Sequence, residues 1–220
     1  MFKNFRKIKY YFKHQQQGMT LVELMVVLAI FALITGLIMF DYGSFKSATS
    51  TRNLADDIAL SIRKAQSYAI GVRGTDSIFE FGHGIHFTTS EDISDPLAGS
   101  NKSFVLFTDV NKSNSYNYTG QGVCDNPVVT NECREALSIN SADKISKIKR
   151  GGVIAPDGAI LDIVFLRPNP DAIFCYKETA SSSCISNYSN VEIEVSNGRT
   201  GDDLVTKSIK IWNTGQISTD

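Results

Sequence analysis

The chain has 220 residues, 22 Lys+Arg against 23 Asp+Glu, and 42% hydrophobic side chains. Balanced charge excludes a uniformly basic nucleic-acid binder, and this apolar content excludes a wholly disordered chain. The balance hides an asymmetry. Residues 1–18 carry Lys3, Arg6, Lys7, Lys9 and Lys13 and no acid, a sum of +5, while the rest of the chain sums to −6.

From Leu21 to Phe40 runs a 20-residue stretch, LVELMVVLAIFALITGLIMF, whose one charged side chain is Glu23. At about 1.5 Å per residue a helix of this length spans about 30 Å, the thickness of a bilayer's hydrocarbon core. A buried helix of a soluble protein seldom stays apolar on every face for so long. The run therefore predicts a transmembrane helix. Basic residues before it and acidic excess after it predict residues 1–18 inside and 41–220 outside. A cleaved secretory signal fits less well, because its apolar stretch is shorter and ends in a small-residue cleavage site. Asp41-Tyr42-Gly43-Ser44-Phe45 supplies none.

Glu23 is the odd residue, since a carboxylate in a membrane helix costs about 2–3 kcal/mol. Thr20-Leu21-Val22-Glu23 reads as a capping box, with Thr20 as the N-cap and Glu23 at the third helical position. There the carboxylate also meets the positive end of the helix dipole. The other reading is that Glu23 meets a positive charge supplied from elsewhere.

Gly18-Met19-Thr20-Leu21-Val22-Glu23-Leu24, after a short basic leader and before an apolar run, resembles the leader junction of type IV prepilins and type II secretion prepseudopilins. The resemblance implies cleavage between Gly18 and Met19 by a membrane-embedded prepilin peptidase, then N-methylation of Met19. Members usually carry Phe where Met19 stands. It further implies that the apolar helix stays in the mature protein as the packing surface of a filament. Glu23 would then neutralise the N-terminal amine of an adjacent subunit, a pairing that low dielectric strengthens. Thr35, Gly36 and Gly43 offer places where the helix can bend.

Residues 51–70 continue the helical pattern. Leu54, Ile58, Ile62, Ala65 and Ala69 form one stripe, with Asp56, Asp57, Arg63 and Lys64 off it and Gly71 and Gly74 at the end. The stripe is expected to pack on a sheet. Beyond it, Phe79/Phe81, Ile85/Phe87, Val191/Ile193/Val195 and Ile209/Ile211 alternate with period two, and Phe104–Phe107 and Ile160–Leu166 read as more fully buried strands. Asp157-Gly158, Asn197-Gly198 and Thr214-Gly215 supply turns. The fold class is thus α+β, a long N-terminal helix on an antiparallel sheet or sandwich. Residues 88–102 and 109–131 read as polar surface loops.

The globular part more loosely resembles the H-type minor pseudopilins and related tip minor pilins, through Lys64–Ile70, Phe104–Asn111 and Ile209–Ile217. Some tip pilins bind DNA through a basic C-terminal motif. Gly215-Gln216-Ile217-Ser218-Thr219-Asp220 has no Lys or Arg, so nucleic-acid binding is not expected.

Four cysteines fall in two pairs of equal spacing, Cys124/Cys133 and Cys175/Cys184. Outside the cytoplasm disulfides are expected. Three connectivities are possible, and local pairing is the one predicted; C-x8-C is not a zinc-knuckle spacing. His83 and His86 lie three apart, hence on opposite faces of a strand, and read as ordinary polar histidines. Asp109-Val110-Asn111-Lys112-Ser113 begins like a calcium loop, but Asn114 and Gly120 stand where that loop needs Gly and Glu. It reads as a solvated turn. Lys144, Lys147, Lys149 and Arg150 read as a solvated strand face. There is no nucleophile elbow and no phosphate-cradling loop. No enzymatic role, metal or cofactor is expected.

The expected organisation is a cleaved cytoplasmic leader (1–18), a transmembrane and filament-core helix (19–40), its amphipathic continuation (41–70) and an extracytoplasmic β-rich domain (71–220). The expected function is a structural subunit of a type IV pilus or pseudopilus, anchored in the inner membrane. Its expected partners are the prepilin peptidase, other pilin subunits and the membrane. The alternative is a single-pass anchored binding or enzymatic domain whose Glu23 is only a cap.

Overall fold

A computed structural model describes residues 18–71, 81–118, 120, 124, 128 and 131–220. The basic leader, Gly74, Phe79 and much of 119–130 lie outside the described residues. The chain divides into two units, one ending at Gly43 and one beginning at Ser44. One α-helix, α1 (Leu21–Ile70), contributes residues to both. It is continuous in secondary structure through Thr35, Gly36 and Gly43. Thr35 Oγ1 donates to Phe31 O at 2.8 Å, which keeps the β-branched polar side chain within the ladder.

In the first unit the helix exposes every apolar side chain from Leu21 to Met39 that the structure describes, and of the large ones Leu24 and Val27 are the least exposed at 49%. It is long and apolar enough to cross a membrane.

Among the described residues the second unit holds ten strands: β1 (Gly82–Thr88), β2 (Ser103–Asp109), β3 (Cys133–Ser138), β4 (Lys144–Arg150), β5 (Val153–Ile154), β6 (Ile160–Phe165), β7 (Ala172–Lys177), β8 (Asn190–Ser196), β9 (Thr206–Trp212) and β10 (Ile217–Thr219). They form two five-stranded sheets, in the orders β3-β2-β1-β6-β7 and β10-β9-β8-β4-β5. Every pairing is antiparallel.

The stripe expected on the helix is the one that is buried. Leu54, Ile58, Ile62, Ala65 and Ala69, joined by Ala55 and Ala59, share one core with the inner faces of both sheets. Ile58 and Ile62 are 0% exposed, and burying each contributes about 1.5–3 kcal/mol. Gln66 Nε2 donates to Pro170 O and Gly215 O, Asn197 Nδ2 donates to Ser47 Oγ, and Lys64 pairs with Glu135. Ser50 and Thr51 both donate to the Asp143 carboxylate. Burial opposes the charge on Asp143, but the hydroxyls of Ser141, Ser50 and Thr51 outweigh it and hold its pKa below the ordinary value. α1 ends where Gly71 N donates to Ser67 O at 2.8 Å; a Cβ on Gly71 would lie 2.7 Å from that oxygen.

The first sheet is covered on both sides. Ile85, Phe87, Phe104, Leu106, Ile163 and Phe165 face the shared core, whereas Val105, Phe107 and Val164 face a second cluster with Tyr116 and Cys133. Hence all seven residues of β1 and of β2 are buried. The strands pack so closely that a Cβ on Gly84 would lie 2.6 Å from Ile163 O and 2.7 Å from Phe107 Cζ. The second sheet keeps the alternation read from Val191, Ile193 and Val195, with Glu192 and Glu194 on the other face.

Candidate functional site

The N-terminal junction is built by a reciprocal cap. Glu23 N donates to Thr20 Oγ1 at 3.2 Å, Thr20 N and Oγ1 each donate to Glu23 Oε2 at 3.2 Å, and Leu24 N donates to Thr20 O at 3.1 Å. Four terminal N–H groups of a helix lack partners within it, and this box satisfies two of them, those of Thr20 and Glu23. It also stops the helix at Leu21, so Gly18, Met19 and Thr20 precede it in an exposed, non-helical approach. A Cβ on Gly18 would meet nothing within 4 Å, and Met19 is 60% exposed. Gly18 and Met19 are therefore both exposed. The Glu23 carboxylate accepts from Thr20 alone among the described residues.

A family model described as the prokaryotic N-terminal methylation motif matches residues 13–39. No curated protein and no solved structure matches the chain. The matched segment is similar to the N-terminal signal of type IV pilin-like proteins, and the long helix that follows it fits that likeness. The motif is the signal of a type IV pilin-like substrate of prepilin peptidase, and it points to a structural subunit rather than an enzyme. The apolar α1 that follows agrees with membrane anchoring.

The second unit of this pilin-like chain holds the remaining candidates. Each cysteine pairs locally: Cys124 with Cys133 at a Cα–Cα distance of 4.8 Å, and Cys175 with Cys184 at 5.1 Å. The first bond ties the β3 end to the polar segment before it. The second ties buried Cys175 in β7 to the loop whose Ile185 exchanges two backbone hydrogen bonds with Tyr176. The four basic side chains at 144–150 all have acidic partners: Lys144 with Glu91, Lys147 with Glu194, Lys149 with Glu192 and Glu194, and Arg150 with Glu178. Their positive field is largely neutralised in place.

His83 and His86 do face opposite ways. His83 Nδ1 lies 3.2 Å from Thr108 Oγ1 and its ring meets Tyr68 of α1 edge-on. His86 faces the other side, with Nδ1 2.6 Å from Asp162 Oδ1 and Nε2 3.2 Å from Ala98 O. Both of its ring nitrogens thus face acceptors.

The turn after Asp109 is solvated as expected, with Asn111, Lys112 and Ser113 exposed, but it is anchored on buried carboxylates. Asp109 is 0% exposed, and its carboxylate accepts from Ser113 N and Asn114 N at 2.9 Å. Lys112 and Asn114 adopt positive φ of 60° and 56°, so Asn114 supplies the left-handed backbone that Gly would have supplied. Buried Glu132 accepts from Val110 N, Asn111 N and Asn117 N, and Asp162 Oδ2 accepts from Tyr116 N. Three buried carboxylates therefore fold residues 110–117 back over the sheet. Burial pushes Glu132 up to about 7, although its backbone donors pull the other way, and burial raises Asp109 likewise. Burial also raises the Tyr116 phenol, which donates to Leu97 O at 2.9 Å. Sequence reading missed Glu132 and Asp162; the available signal was Asp162 standing alone inside the apolar strand Ile160–Phe165. Among the described residues, no group of three His, Cys, Asp or Glu side chains is arranged to hold a metal ion.

Proposed function

We propose that the chain is a structural subunit of a type IV pilus or type II secretion pseudopilus. In this reading prepilin peptidase hydrolyses the Gly18–Met19 bond on the cytoplasmic side, leaving a carboxylate on Gly18 and a new amine on Met19 that is then N-methylated. The helix from Leu21 onward stays as the anchor, with the second unit outside. On assembly Glu23 exchanges part of its cap for the amine of an adjacent subunit. The observation that carries this is the methylation motif at 13–39, set on an exposed junction directly before a helix that exposes apolar side chains on every face. Such a surface must be covered by lipid, or by other helices once lipid is left behind. The resemblance of Lys64–Ile70, Phe104–Asn111 and Ile209–Ile217 to H-type minor pseudopilins favours a minor subunit. The test is fractionation of native cells. The chain should appear in the sheared filament fraction and disappear from it when the host's prepilin peptidase is deleted. A chain confined to the membrane in both strains would refute the assembly reading.

A further inference from the structure

Residues 110–117 close over the second apolar cluster, on the face of the first sheet turned away from the α1 stripe. Tyr116 seats them there. Its ring lies 5.3 Å from that of Phe107 and 4.9 Å from that of His86, and its hydroxyl donates to Leu97 O. Six backbone N–H groups of this cover end on carboxylates. Those of Val110, Asn111 and Asn117 reach Glu132, those of Ser113 and Asn114 reach Asp109, and that of Tyr116 reaches Asp162. A strand is held by a ladder of backbone bonds whose partners do not titrate, whereas this cover hangs on three side chains that do.

We infer that residues 110–117 open locally, ahead of the rest of the second unit, and that rising pH drives the opening. Ionising all three carboxylates beneath one short segment places like charges close together and out of water. Among the described residues no cation forms an ion pair with Glu132 or Asp109. Of the charged and titratable groups around them, His86 is turned to Asp162 and Arg134 donates to Thr108 Oγ1. Asp95 adds a further acid, which accepts from the Tyr118 hydroxyl, and Lys112 stands exposed on the turn itself. The closed cover therefore keeps a proton on Glu132, which burial pushes up to about 7, and the open cover releases it. Proton linkage between about 7 closed and 4.5 open makes opening about tenfold more frequent at pH 8 than at pH 6. The device belongs to the second unit alone, so it stands or falls apart from the assembly reading.

The test is hydrogen exchange read by mass spectrometry on the full-length chain in detergent, at pH 6 and pH 8, with intrinsic exchange rates divided out. Amides of 110–117 should be less protected than those of Val191–Val195 in β8 by about tenfold or more. Their protection should fall about tenfold from pH 6 to pH 8, and Glu132→Gln should shrink that fall to under about threefold. The inference is overturned if the two segments are protected alike, because the cover then opens only with the whole fold. Protection of 110–117 that holds or rises toward pH 8 overturns it, and so does a tenfold fall that survives in Glu132→Gln. Should that variant not fold, the wild-type comparison decides alone.

Discussion

Glu132 sets a measurable pH dependence. Its ordinary pKa is 4.5 and burial moves it to about 7 in the fold, where it is 0% exposed and accepts three backbone N–H groups. Between these two values the folded chain holds a proton that the unfolded chain has lost. Stability therefore falls as pH rises through that window. The gap corresponds to about 3 kcal/mol at most, at about 1.36 kcal/mol per pH unit. Asp109 is raised in the same direction and adds to the slope from its own lower starting point. Glu132→Gln removes the titration. Its amide oxygen can still accept from Val110 and Asn111, but its NH2 would face the Asn117 N–H, a donor against a donor, costing about 1–3 kcal/mol at every pH. Urea unfolding of the detergent-solubilised chain from pH 5 to 8 measures both effects. The wild type should lose stability toward pH 8, and the variant should be weaker at pH 5 with a flatter profile. A variant with the wild-type slope, or a wild type that gains stability from pH 5 to 7, would refute the argument.

Ile62→Ala should cost about 2–5 kcal/mol by leaving a cavity where α1 meets both sheets, read as a fall in unfolding midpoint; a loss under 1 kcal/mol would mean the helix is not held by this stripe. Removing the Cys175–Cys184 bond with paired Ser substitutions should cost about 2–3 kcal/mol, given its nine-residue separation, and differential denaturation in reductant checks it. Glu23→Ala should insert into membrane normally but be depleted from filaments, as read by immunoblot of sheared and membrane fractions; assembly at wild-type level would make the ion pair dispensable. Gly18→Val should leave the leader attached, seen as a heavier band, and since a Cβ there meets nothing, misfolding cannot be the cause.

The local rules that govern an isolated helix made the N-terminal half legible. Charge asymmetry, apolar length and the spacing of Thr20 and Glu23 are properties of neighbouring residues, and the cap formed as the spacing required. The buried stripe at 54–69 and the strands around Ile85, Phe104, Ile163, Val191 and Ile209 were readable for the same reason. β3 and β7 were harder. Cys133–Ser138 is an edge strand with half-buried residues and little alternation, and Ala172–Lys177 is a six-residue strand at the opposite edge of the same sheet. The loop after Asp109 looked solvated because it is rich in Asn and Ser. It is solvated at Asn111–Ser113, but what anchors its backbone are carboxylates 23 and 53 residues beyond Asp109, Glu132 and Asp162, and local pattern carries no information about such distant anchors. The basic run at 144–150 was legible as a strand face, though not its partners, because Glu192 and Glu194 reach it only through the β4–β8 register.

The account stands most directly on the identity of the first residue in native material. Intact-mass and N-terminal peptide spectrometry of chain purified from its own cells should find a polypeptide opening at Met19, one methyl heavier than the bare amine. A polypeptide that opens at Met1, with Lys3 through Lys13 still in place, would contradict it.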